Sequence, residues 1–85
     1  MKLIAEISLY PLNQQYITPI KRFIERLNQY PELTIDTGRT STVVEGEYIS
    51  TMRILAEEMQ RSHQEIGQAS FVCKFLNGDA IGSGK

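Results

Sequence analysis

Cysteine and histidine are scarce in this chain of 85 residues, with Cys73 and His63 the single representatives of each. One thiol cannot close an intramolecular disulfide, and one thiol with one imidazole falls short of a zinc ligand set, so neither a covalent staple nor a metal is expected. The lone cysteine fits a reducing compartment. Charge of one sign is also missing, since nine Lys and Arg stand against ten Asp and Glu. With no cationic surplus and no basic cluster to neutralise a run of phosphates, nucleic acid is not an expected partner. Long hydrophobic runs are absent, and Glu6 arrives too early for a signal-peptide apolar core. Those two features predict no membrane partner and a cytoplasmic location. No glycine-rich phosphate loop follows a strand, because Gly78, Gly82 and Gly84 come last with no helix behind them. No motif sets a nucleophile beside a base, so the chain is expected to be no enzyme, with no catalytic residue and no cofactor.

What remains is a chain of one-domain size with regular hydrophobic periodicity. Leu3, Ala5, Ile7 and Leu9 alternate with Ile4, Glu6, Ser8 and Tyr10, which predicts a half-buried strand ended by Pro11. Asn13-Gln14-Gln15 reads as a polar connection, and Thr18-Pro19 as an N-cap followed by proline at the first helical position. Ile20, Phe23, Ile24 and Leu27 then recur on one helical face, opposite Lys21, Arg22, Glu25 and Arg26, with a stop expected near Tyr30 before Pro31. Leu33 to Thr37 forms a second strand, Gly38-Arg39 a tight connection, and Arg39 to Tyr48 contains the third. Ser50 is a candidate cap for a second helix whose apolar stripe is Met52, Leu55, Ala56, Met59, His63 and Ile66, and Gly67 is its stop. Phe71, Cys73 and Phe75 alternate with Val72, Lys74 and Leu76 in a fourth strand. The order strand, helix, strand, strand, helix, strand predicts an α+β, ferredoxin-like βαββαβ sandwich, with four antiparallel strands and both helices on one face. Residues 1–77 would form that single domain and 78–85 a flexible tail.

With both helices on one side, the other side of the sheet must meet water, a ligand or another copy of the protein. Its expected residues are Ile4, Glu6, Ser8, Tyr10, Ser41, Val43, Glu45, Glu47, Val72 and Lys74, while Thr42, Val44 and Gly46 point to the helices. Apolar area interspersed with carboxylates and hydroxyls is how a sheet-to-sheet interface or a small-molecule pocket is composed.

Two stretches carry a resemblance. Ala5-Glu6-Ile7-Ser8-Leu9-Tyr10-Pro11-Leu12 and, after one helix, Thr40-Ser41-Thr42-Val43-Val44-Glu45-Gly46-Glu47 resemble the small thiamine-binding proteins of bacteria and archaea, over nearly the whole chain. The resemblance implies a ferredoxin-like fold, assembly through open sheet faces into a homodimer or homotetramer, and binding of thiamine or its hydroxymethylpyrimidine moiety without reaction. Glu6 and Ser8 fall on the family's first-strand motif, Thr42, Glu45 and Glu47 on its third-strand motif, and Lys74 on the lysine of its last strand. After Lys74 the chain lacks the charged helical tail of many such proteins, which bears on the tetramer more than on the pocket. The ligand's chemistry suits these side chains. Thiamine carries a permanent thiazolium cation, for which a carboxylate is a partner where water is partly excluded. Ser8, Ser41 or Thr42 can complete the donor and acceptor edge of the aminopyrimidine, and Tyr10 can stack on either ring. The expected ligand-binding residues are thus Glu6, Ser8, Ser41, Thr42, Glu45 and Glu47.

Plainer readings stand beside this one. Glu45 and Glu47 are otherwise solvated strand residues or partners of Lys74. His63 is a packed or edge-of-core helix residue, and Cys73 a small apolar filler. A rival for the whole chain is an oligomerisation or regulatory module that senses a different small molecule.

Overall fold

The computed structural model describes residues 1–12 and 17–78. Its elements are β1 (Lys2–Pro11), α1 (Ile17–Leu27), β2 (Thr34–Thr37), β3 (Thr42–Glu47), α2 (Tyr48–Ile66) and β4 (Ala69–Asn77). The strands form one antiparallel sheet in the order β2-β3-β1-β4, so the first and third strands are central as the ferredoxin-like α+β topology requires. Among the described residues no helix is long and apolar enough to cross a membrane.

Period-two alternation fixes which side of the sheet is buried. Leu3, Ala5, Ile7 and Leu9 of β1 and Val44 of β3 face the helices, where Phe23 and Leu27 of α1 and Ile54 and Leu55 of α2 complete the core. Phe23 is fully enclosed and meets Phe71 of β4 at 5.1 Å between ring centroids. Burying a side chain of that size contributes about 1.5–3 kcal/mol. Gly46 sits where the first turn of α2 crosses β3. A Cβ there would collide with the Thr51 hydroxyl oxygen and lie 3.1 Å from Leu33 Cδ2.

Both helix starts differ from the sequence expectation. Thr18 lies inside the first turn of α1 rather than capping it, and Pro19 is tolerated there because the first amides of a helix have no intrahelical acceptor. In α2 the cap is Glu47, not Ser50: the Ser50 amide donates to Glu47 Oε1 at 2.9 Å. The reason is that β3 passes into α2 without a loop, so the last strand residue has to serve as the cap. Gly67 ends α2 at φ 87°, its amide donating to the His63 carbonyl at 2.9 Å.

The buried stripe of α2 is also rotated from the expected one. Thr51, Ile54, Leu55, Glu58 and Ser62 are buried, while Ala56 and His63 are exposed. Arg26, expected on an outer face, meets Glu58 between the helices, its Nε donating to Glu58 Oε1 at 2.7 Å. The Tyr30 hydroxyl donates to the other Glu58 oxygen at 2.6 Å, and Arg26 Nη2 donates to Ser62 Oγ at 2.7 Å. Burial alone would raise the Glu58 pKa. The hydrogen bonds from Tyr30 and Arg26 and the charges of Arg61 and Arg26 outweigh it and hold the carboxyl below its ordinary value.

Gly78 is buried, with a notional Cβ only 3.2 Å from Ile4 Cγ1, so the packed unit reaches one residue beyond 77. The rest of the expected tail, 79–85, and the connection Asn13-Gln14-Gln15 lie outside the described residues.

Candidate functional site

Strand register writes the uncovered face as rows. Thr34, Glu45, Ile4 and Leu76 are paired across the four strands, and the next row is Asp36, Val43, Glu6 and Lys74. Ser8 then pairs with Val72, and Tyr10 with Ser70. No bulge interrupts this part of the ladder, so the face holds the mixture that alternation implies. Tyr10, Val72 and Leu76 on it are about half exposed, at 54%, 52% and 47%.

At the end of the face nearest the β2–β3 connection, Glu6, Ser8, Tyr10, Thr40, Ser41, Val72 and Lys74 line an open recess of about 310 Å³. Such a volume lies at the lower end of the range for small-molecule sites, about 300–1,000 Å³. Within it the Ser41 hydroxyl donates to Glu6 Oε2 at 3.2 Å, and Lys74 Nζ lies 3.6 Å from Glu6 Oε1. Ser8 Oγ donates to the Thr40 carbonyl at 3.0 Å, which ties β1 to the tip of the hairpin. The Gly38 amide donates to the Ser41 carbonyl at 2.8 Å, leaving Arg39 and Thr40 as that tip. No residue of the tip needs a positive φ. The Lys74 side chain is 82% exposed, so its pairing with Glu6 is weak and solvent-screened. A ligand cation that displaced it would meet a carboxylate already oriented by Ser41.

The structure therefore brings together Glu6, Ser8 and Ser41 of the six expected residues. It places the other three elsewhere. Thr42 is buried on the helix side of β3, against a cavity of about 100 Å³ whose lining includes Ile7, Leu9 and Phe23 and also Ser8 and Ser41, too small for a two-ring ligand. Glu45 lies on the open face one row away from Glu6, with Lys2 Nζ at 3.8 Å. Glu47 turns its carboxylate to the first turn of α2, and the Ser50 amide and hydroxyl there hold its pKa below the ordinary value. Tyr10, Thr40, Val72 and Lys74 complete the recess. The signal for Thr40 was the register itself, since Ile7 opposite Thr42 carries Ser8 up to the hairpin tip.

Cys73 packs against the core, and burial pushes its thiol pKa up, so it is no ready nucleophile. His63 Nε2 lies 3.1 Å from the Ala69 carbonyl, and its ring edges onto Phe71 at 5.3 Å, away from the recess. Among the described residues no group of three His, Cys, Asp or Glu is placed to hold a metal ion.

Neither the family models nor the curated proteins include a match to this chain. Solved structures do match. Protein SP2199 from Streptococcus pneumoniae shares 30% identity at a TM-score of 0.85, over 95% of this chain and 91% of that one. A Thermotoga maritima protein provisionally assigned to thiamine biosynthesis or salvage, TM0486, aligns over the full length of both chains at a TM-score of 0.81 and 17% identity. The hypothetical protein MJ1052 from Methanocaldococcus jannascii has a TM-score of 0.78 and 23% identity, covering 89% of this chain and 79% of its own. The last two likenesses speak for the fold alone.

Proposed function

The chain belongs to the family that includes protein SP2199 of Streptococcus pneumoniae, and we propose that it binds thiamine or its hydroxymethylpyrimidine moiety, without turning it over, as a cytoplasmic homo-oligomer. The observation that carries this reading is the meeting of Glu6, Ser41, Ser8 and Tyr10 in one recess of the uncovered sheet face. Glu6 supplies a carboxylate for a cationic ring, the two hydroxyls supply donors and acceptors for a heterocycle edge, and Tyr10 supplies a stacking surface. The provisional thiamine assignment of TM0486, on the same fold, agrees with this chemistry. A second copy laid on the sheet would cover the exposed Tyr10, Val72 and Leu76 and exclude water from the recess, which strengthens a carboxylate-to-cation contact.

Calorimetric titration and thermal shift test the reading together. A specific ligand raises the unfolding midpoint with concentration, by the equivalent of about 2.7 kcal/mol at a hundred times Kd. Glu6→Gln should weaken thiamine more than neutral hydroxymethylpyrimidine, by about tenfold for one lost charge contact. Failure of both compounds to bind at millimolar concentration would leave the rival reading, a module that only pairs with itself or senses another molecule.

A further inference from the structure

Beside the recess on the sheet lies a second one. Leu9, Tyr10, Pro11, Ile20, Arg39 and Thr40 line about 310 Å³, and Tyr10 and Thr40 belong to both recesses. The two are therefore neighbours across the hairpin tip, and their chemistry differs. The first contains the Glu6 carboxylate, loosely paired with Lys74, whereas the charged group lining the second is Arg39, with no carboxylate among the described residues that line it. Arg39 is exposed at the tip and has no hydrogen bond or ion pair with any described residue. The other walls of the second recess are mostly apolar, from Leu9, Pro11 and Ile20.

We propose that Arg39 is a specificity-determining residue for the phosphorylated form of the ligand: the cationic heterocycle lies against Glu6 and Ser41, and an alkyl phosphate arm crosses Tyr10 and Thr40 to the Arg39 guanidinium. This rests on the heterocycle-binding reading above and names the ligand class more narrowly. The geometry suits it. Val43 is opposite Glu6 and four residues from Arg39, a span of at most about 14 Å were the chain fully extended, and less across the hairpin tip that Gly38 and Ser41 close. The long, flexible arginine side chain shortens that gap to one that a ring and a short alkyl arm can bridge. A guanidinium is the side chain whose fork of donors matches phosphate oxygens, and one with no competing carboxylate gives up no ion pair on binding. Aliphatic walls suit the alkyl arm between the two charged ends.

The test is calorimetry of thiamine and thiamine monophosphate against the full chain and its Arg39→Ala and Arg39→Lys variants, read as the ratio of the two affinities. The wild type should prefer the monophosphate by about three- to tenfold, as expected of one charge-assisted contact at a wet site. Arg39→Ala should bring the ratio close to one, and Arg39→Lys should keep part of the preference. Equal affinities in the wild type, or a preference that survives in Arg39→Ala, would overturn the assignment of Arg39 while leaving thiamine binding intact. Binding of neither compound would overturn this inference, and titration with hydroxymethylpyrimidine would then decide whether the heterocycle-binding reading falls with it.

Discussion

Replacing Glu58 by alanine removes the acceptor on which α1 and α2 converge, and the size of the loss follows from what is left behind. The Glu58 side chain is 4% exposed and lies 2.7 Å from Arg26 Nε and 3.3 Å from Arg61 Nε. Removing one partner of a buried pair costs about 3–5 kcal/mol when the other charge is stranded. Arg26 is not fully stranded, because it is 18% exposed and keeps Glu65 at 3.0 Å and Ser62 at 2.7 Å. The expected cost is therefore at or below the lower end of that range, about 2–3 kcal/mol, or a fall in Tm of about 10–20 °C for a domain of this size. Glu58→Gln keeps the shape and one acceptor and should lose about half as much. Urea unfolding at neutral pH, with an unchanged slope, measures both. The pH dependence supplies a second readout. Because folding lowers the Glu58 pKa, its contribution is complete above the unfolded value of 4.5 and is lost as pH falls through the lower folded value. Glu58→Gln should flatten that acid limb. A loss under about 1 kcal/mol for Glu58→Ala, the range of an exposed pair, would refute the view that this network joins the helices.

Two further outcomes depend on the junction between β3 and α2. Gly46→Ala should cost about 2–3 kcal/mol, because the new methyl meets Thr51 and Leu33 in a packed layer; Thr51→Ala should restore part of that loss, as chemical denaturation of the single and double variants would show. Glu47→Ala removes the cap of α2 and should lower Tm by a few degrees at neutral pH while leaving thiamine affinity unchanged, which calorimetry and thermal unfolding separate.

The parts of the fold that were legible beforehand are those decided by a few neighbouring residues. Alternation through Leu3, Ala5, Ile7 and Leu9 needs no knowledge of the partner strands, and neither does the helical spacing of Phe23 and Leu27 or the stop at Gly67. The orientation of α2 was not legible, because it depends on a pairing across 32 residues. Read alone, Glu58 is a charge that belongs in water. Read alone, so is Arg26. Only their meeting, with Tyr30 and Ser62 as further partners, makes burial tolerable. The cap of α2 failed for a related reason: serine is the stronger cap by preference, but preference yields when a strand runs straight into a helix and Glu47 alone occupies the capping position.

The recess illustrates the same division at the scale of a site. Parity along β1 and β3 put Glu6, Ser8 and Ser41 on one face and Thr42 on the other, so the position of Thr42 under the helices follows from the alternation that defined the strand. Parity could not say how far along the face each group lies. That is set by register: Ile7 opposite Thr42 draws Ser41 to Glu6 at the hairpin end, while Glu45 stands opposite Ile4, one row farther on. A carboxylate one row away is a neighbour for a second ligand group, not for the first, because paired rows on one face are about 7 Å apart. The negative charge that the recess offers to a cation under the proposed function is consequently that of Glu6, held by a serine hydroxyl and only loosely shared with the exposed Lys74. An exposed, weakly bound lysine is what allows such a carboxylate to exchange partners, and substituting Lys74 with methionine should accordingly tighten a cationic ligand rather than weaken it.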